Sequence, residues 1–396
     1  MKYKNYVSDK LVLSFWGYRL FGEQDIEETV KVWKDAFFNV GLSFINRPDE
    51  NREKEMIKLL DCCEKYSLKL IIYDDRIHCH RLREMSEEAY ENAVINSVEK
   101  FASHPATAAF LISDEPDKNT LPLVGKALEI LRKHTDIPGF VNFFPMWRSK
   151  DYVDLMGVEG ENIDKLYVDF GKKYGQGVIA YDCYDSMNAR APEYSPNGHF
   201  DNLNTYYKIA KELNVPLWTS LLCTGHMTFR MPTLIDFRWQ LATALAHGVT
   251  GIQWFMLYDG KSKCGDSPID LYNERQPTYW DLRKVQREFM TDVGDLICDL
   301  ELEEVNHLPF VYGGTSAYVD GLDKYLEHFS EDYRDFAIIS RFRHKETGNV
   351  WYMFVNGSRV AGNRFKYKFR EPYEHSSGEA WVDPGRFQLI ELRGKE

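Results

Sequence analysis

Two adjacent carboxylates, Asp114 and Glu115, follow directly on the apolar run Phe110-Leu111-Ile112-Ser113 and are closed off by Pro116. An apolar run that ends in turn residues reads as a strand buried on both faces, as in parallel sheets. Barrel and open α/β enzymes place their chemistry at the carboxyl ends of such strands. Two neighbouring acids at that position suit proton transfer. A carboxyl held beside a like charge in a walled pocket has its pKa raised and keeps its proton near neutrality. Glu115 is therefore the candidate general acid. On a purely structural reading, the same pair opens a loop and caps the helix that follows.

The elements that must position this pair recur with one beat. Leu11–Trp16, Leu42–Ile45, Leu68–Tyr73, Ala108–Ser113, Gly139–Phe144, Gly177–Tyr181, Pro216–Leu222 and Gly251–Phe255 read as apolar strands. Helical spacing follows, for example at Ile26, Val30, Trp33 and Phe37, and again over Leu121–His134. Eight strand-then-helix units predict an α/β fold, a (β/α)8 TIM barrel over residues 1–307. The glycine-rich first turn of a dinucleotide-binding open sheet is absent. A helix is expected over Trp280–Leu300. Beyond it, Phe336–Phe342 and Val350–Val355 form a hairpin around Gly348, and Tyr367–Phe369, Glu379–Val382 and Arg386–Leu392 add short strands. Residues 308–396 are thus expected to form a small antiparallel, β-sandwich-like domain without chemistry of its own.

Closing the barrel gathers the strand tips at one mouth: Trp16, Asp74, Asp75, Asp114, Glu115, Asn142, Asp182, Asp185, His226, Trp254 and Tyr258. Acids and aromatics dominate, and no basic cradle for phosphate is present. Carboxylate pairs between aromatic walls are what glycoside hydrolysis requires, one acid protonating the leaving oxygen while the other attacks or activates water. Asp182 is the expected partner of Glu115, with Asp185 next to it. Trp16, Asp74, Asp114, Asn142, Tyr184, Asp185, His226 and Trp254 are the expected substrate contacts. Each has a structural alternative: Asp182 and Asp185 as loop caps or partners of Arg190, Asp74 in a buried cluster with Asp75 and Arg76, the tryptophans as plain packing. Strands four and six are two apart around the barrel, so their acids are expected to face each other across a gap with room for a sugar and a water, which leans toward inversion. His78-Cys79-His80, with His226, is a candidate metal set, although a loop explains it as well; no metal or cofactor is expected.

The composition narrows the partners. A net charge of −12 disfavours nucleic acid, and no apolar run approaches the ~20 residues of a membrane span. The aromatic share of 14% suits stacking on neutral ligands as well as core packing. Seven cysteines without a CxxC pair, two of them adjacent at Cys62-Cys63, read as free thiols in a reducing compartment. With no leader evident at the N-terminus, a cytoplasmic protein acting on a carbohydrate is expected, its oligomeric state open.

The barrel pattern resembles clan A of the glycoside hydrolases, which are (β/α)8 enzymes with a catalytic acid at the end of strand four. More narrowly, Asp114-Glu115-Pro116, Tyr181-Asp182-Cys183-Tyr184, the run from Arg230-Met231-Pro232-Thr233 through Ala246-His247-Gly248 to Gly251-Ile252, and Gln276-Pro277-Thr278-Tyr279-Trp280-Asp281-Leu282 are similar to glycosidases related to the family 42 β-galactosidases. The similarity runs from about Leu11 to Leu300 and implies Glu115 as acid/base. Two departures stand out. The clan usually carries Asn where this chain has Asp114, and a nucleophilic Glu at the seventh strand, where this chain reads Cys223-Thr224-Gly225-His226. A glycosidase with Glu115 and Asp182 is the leading expectation. The alternatives are a non-catalytic carbohydrate-binding barrel and a metal-dependent hydrolase.

Overall fold

The computed structural model describes residues 9–22, 25–47, 50–158, 162–189, 195–259 and 264–393. Residues 1–8, read above for a leader, and Arg190 lie outside the described residues. Eight parallel strands, β1 (Val12–Phe15), β2 (Val40–Leu42), β3 (Lys69–Ile72), β4 (Thr107–Asp114), β5 (Gly139–Phe143), β6 (Ile179–Asp182), β7 (Leu217–Leu222) and β8 (Gly251–Phe255), pair in the order β1-β8-β7-β6-β5-β4-β3-β2. The ring closes between β1 and β2 through one side chain. Asn39 donates from Nδ2 to the Leu11 carbonyl (2.8 Å), accepts the Leu13 N–H on Oδ1 (2.9 Å) and donates its own N–H to the Leu13 carbonyl (3.1 Å). Asn39 thus bridges the gap between β1 and β2, where no ladder forms and the barrel is nearly closed.

Helices α1 (Ile26–Asp35), α2 (Glu50–Lys65), α3 (Glu87–Phe101), α4 (Leu121–His134), α5 (Lys150–Met156), α6 (Ile163–Tyr174), α7 (Ser195–Leu213), α8 (Leu234–Ala246) and α9 (Pro277–Asp292) cover the barrel. Their ends follow from local chemistry. Asp25 caps α1 by accepting the Glu28 N–H at 2.8 Å, and Thr233 with Asp236 forms a capping box on α8. The second strand ends earlier than its apolar run suggested. Gly41 lies within the strand against the Trp33 ring of α1, where a Cβ would lie 2.9 Å from the ring, and the ladder runs over Val40–Leu42 before thinning to single bonds at Ser43 and Asn46.

α8 is buried on nearly every side, because it lies between the barrel and a β domain. Trp239 Nε1 donates to the Gly357 carbonyl (2.9 Å), and Ser340 Oγ donates to the Ala246 carbonyl (2.7 Å). That domain comprises β9 (Leu300–Leu308), β10 (Leu326–Glu331), β11 (Ala337–His344), β12 (Val350–Asn356), β13 (Asn363–Phe369), β14 (Gly378–Val382) and β15 (Phe387–Leu392). β9, β11, β12 and β15, joined by the two-residue strand Ser316–Ala317, form one antiparallel-dominated sheet, and β10, β13 and β14 form another. Phe329, Tyr352, Phe354, Phe365 and Phe369 fill the space between them. The helix expected to reach Leu300 stops at Asp292. Leu300 and Leu302 then alternate with exposed Glu301 and Glu303 as β9, which pairs with β11.

Three buried histidines tie the two parts together. The Tyr312 N–H donates to His307 Nδ1 (3.3 Å), so His307 Nε2 carries the proton it shares with His247 Nε2 (3.4 Å), and His247 Nδ1 donates to the Thr243 carbonyl (2.8 Å). His199 Nε2 meets Thr243 Oγ1 at 3.0 Å. Burial pushes His247 down to about 4 and His307 to about 2, and holds His199 well below the usual imidazole value. These folded-state values lie below the ordinary ~6.5, so the unfolded chain binds protons first and the stability these groups allow is lost as pH falls below ~6.5. His247→Gln is expected to flatten the decline of the thermal midpoint between neutral and mildly acidic buffer. An unchanged slope in differential scanning calorimetry would exclude His247 as a source of that decline.

Candidate active site

The acids of β4 are aimed by two local irregularities. The pairing of β4 with β5 slips by one residue between Leu111 and Ser113, a bulge that re-aims the strand end. Asp114 then registers with Asn142. Glu115 follows in the left-handed region at φ +45°, costly for a side-chain-bearing residue and typical of functional sites. Its N–H is held by the Asn142 carbonyl at 2.9 Å.

Asn142 organises the floor. Its Nδ2 donates to Asp114 Oδ1 (3.0 Å) and to Asp182 Oδ1 (3.1 Å), bridging the tips of β4 and β6. Tyr18 Oη donates to Asp114 Oδ2 (2.9 Å). Asn142 and Asp182 are 2% and 8% exposed, Glu115 is half-buried, and Asp114 is exposed at the mouth. Glu115 and Asp182 hydrogen-bond to each other through their carboxyl groups. Two carboxyls make that bond only when one of them carries a proton. Burial, then the charge of Asp114, raises Glu115 to about 7. Burial, then Glu115 and Asp114, holds Asp182 well above the usual carboxylate range, and burial raises Asp114. The result is a cluster of three acids holding a proton near neutrality.

This contact corrects one expectation. The tips of β4 and β6 were expected to face each other without touching; instead, the bulge and the left-handed Glu115 bring the side chains together.

The other predicted residues divide between the mouth and the helix layer. Trp16 lies beneath the acids, its Nε1 donating to Ser220 Oγ (2.8 Å) and its ring stacked on Tyr18 at 5.9 Å. Tyr184 packs against Phe255 (5.4 Å), and so does His226 (5.0 Å). Asp74, Trp254 and Asp185 point elsewhere. Asp74 is fully buried against α3, accepting from Arg76 (Nη2, 2.6 Å) and Ser97 Oγ (2.8 Å). Trp254 donates to Gln286 of α9 (3.0 Å) and packs edge-on against Phe237 of α8. Asp185 packs on α7, where a Cβ on Gly198 would fall 2.0 Å from Oδ2. Each strand alternates its faces, and Asp74 and Trp254 are one residue out of phase with the mouth. Tyr73, which feels the charge of Asp114, and Phe255 are the in-phase residues beside them.

The candidate metal set does not assemble. His78 and His80 pair with each other (Nδ1 to Nδ1, 2.5 Å), and among the described residues no three His, Cys, Asp or Glu side chains come together as a metal site would require. Nor is any described helix long and apolar enough to cross a membrane.

No protein-family model matches the chain, and no curated protein does. Solved structures do. A glycoside hydrolase family 5 protein from Bacteroides vulgatus matches with a TM-score of 0.59 at 10% identity, over 96% of this chain and 89% of that one. The endo-β-1,4-mannanase from Thermotoga petrophila matches at 0.52 and 12% identity, over 99% of both chains. The β-galactosidase from the psychrophilic Marinomonas ef1 matches at 0.55 and 11% identity, over 73% of this chain, which spans 62% of that protein's length. At identities of 10–12% the likeness concerns the fold alone.

Proposed function

We propose that the protein is a glycoside hydrolase that cleaves an O-glycosidic bond of a small glycoside or oligosaccharide, with Glu115 as general acid and Asp182 as its partner. The observation that carries this reading is the grouping of Asp114, Glu115 and Asp182 around Asn142 at the carboxyl end of the barrel, between aromatic walls. The substrate's glycosidic oxygen replaces Asp182 as the acceptor for Glu115. As the carbon–oxygen bond breaks, the Glu115 proton passes to the departing alcohol, a water oxygen bonds to the anomeric carbon, and the water's spare proton returns to the carboxylate pair. The separation of the two carboxyls in the sugar complex sets the stereochemistry, ~5–5.5 Å for retention and ~6.5–9.5 Å for inversion. Fold neighbours named as a mannanase and a β-galactosidase support the class. The finer relation to family 42 rests on the motifs alone.

A second reading, a carbohydrate-binding barrel without catalysis, is favoured by one observation. The tip of β7 offers no carboxylate, and Thr224 there is bonded to Ser267 Oγ (3.0 Å) and the Gly265 carbonyl (2.8 Å). Nitrophenyl glycosides of both anomers, followed by unactivated disaccharides, separate the two. The hydrolase turns over at least one sugar series. Calorimetric binding of a sugar with no release of aglycone from any member would sink the hydrolase reading in favour of the second.

A further inference from the structure

The mouth is rich in acceptors and short of donors. Among the described residues, side-chain donors to Asp114 and Asp182 come from the Tyr18 hydroxyl and the Asn142 amide. Asn142, 2% exposed, points its amide into the cluster and uses Nδ2 on both aspartates, while its Oδ1 has no partner. Among the described residues no lysine or arginine acts on Asp114 or Glu115. The cations of the neighbouring loop are engaged with other acids, Arg76 with Asp74 and Glu53, Arg81 with Asp75 and Glu84. A carboxylate group is ordinarily matched by a counter-charge where it is drawn out of water, and among the described residues none acts on Asp114 or Glu115. The surrounding rings, Tyr18 on Trp16 and Tyr184 on Phe255, present faces that attract cations.

We propose that the site takes a sugar carrying a free, protonated amine, whose ammonium group pairs with Asp114. The proposal rests on the glycosidase reading and names the substrate class of the same site. An ammonium brings three N–H donors and the missing positive charge. A hydroxyl brings one donor and no charge, and an acetamide likewise. With Asp114 matched by the ligand, Glu115 and Asp182 keep their single proton for the glycosidic oxygen.

Matched nitrophenyl glycosides test this. Gluco, galacto and manno series of both anomers are compared, each with a hydroxyl, an amine or an acetamide next to the anomeric carbon, or an amine on the exocyclic carbon. They are assayed at a pH where the amine is protonated. The expected kcat/KM for the preferred amine is about tenfold or more above its hydroxyl and acetamide counterparts, the scale of one desolvated cation contact. Asp114→Asn is expected to bring that ratio close to one. The ratio is taken within one preparation, so partial unfolding of the variant cancels. Neutral or acetylated glycosides turned over as well as the amines would overturn the amine and leave the hydrolase standing. So would a ratio that survives Asp114→Asn. Turnover of none of them would bring down the glycosidase reading and the amine with it.

Discussion

Glu115→Gln is expected to remove about 10²–10⁴-fold of kcat/KM on unactivated glycosides while the protein stays folded. The amide has the same shape and can still donate to Asp182, but it has no proton to give the leaving oxygen. Glutamine also relieves the like-charge contact with Asp182 and Asp114, two of the reasons these groups titrate so high, so no loss of stability accompanies the loss of rate. Nitrophenyl glycosides, whose leaving groups depart with little protonation, lose less. The check is a series of leaving groups of graded basicity. A variant within a few-fold of the parent across the whole series would remove Glu115 from the reaction.

Asp182→Asn is expected to be as damaging near neutrality, and to raise the thermal midpoint. Asp182 is 8% exposed and shares one proton with Glu115. Replacing it with an amide removes a carboxyl that the folded state cannot ionise freely and gives Glu115 a hydrogen-bond donor. Because the folded pKa of Asp182 lies above its unfolded value, its stabilising contribution is present at low pH and is lost as pH rises through the raised value. The gain from Asp182→Asn is therefore largest at neutral and alkaline pH, about 2–4 °C for ~1 kcal/mol. Scanning calorimetry and a pH series check the two effects together. Near-parental turnover would exclude Asp182 as the partner. Neither Asp185, packed on α7, nor Asp74, bound by Arg76 and Ser97, is placed to succeed it.

Long apolar runs carried most of the fold into view. The eight barrel strands and the ends of α4 at Leu121 and His134 follow from runs and periodicity that the tertiary structure reinforces. β9 escaped because Leu300-Glu301-Leu302-Glu303 continues an acidic helical stretch, and only pairing with β11 distinguishes strand from helix there. β10 escaped because a bulge between Leu326 and His328 breaks its alternation. At the site, residue type located Asp114, Glu115, Asn142 and Asp182 on neighbouring tips, since acids just past buried strands have few other places to be. Type alone could not supply phase, which turns Asp74 and Trp254 outward and brings Tyr73 and Phe255 inward. Nor could it supply the Glu115–Asp182 contact, which depends on a bulge and a positive φ that leave no mark on hydrophobic pattern.

The most direct measurement is the pH dependence of kcat/KM on an unactivated glycoside over about pH 4 to 10, which reports the free enzyme's essential acid. Glu115 titrates at about 7 and is raised in part by Asp114. The expected profile therefore falls as pH rises through ~7, and Asp114→Asn, by removing that neighbouring charge, moves the fall to lower pH. A profile flat across this range, or a fall that Asp114→Asn leaves in place, would contradict the assignment of the catalytic proton to Glu115.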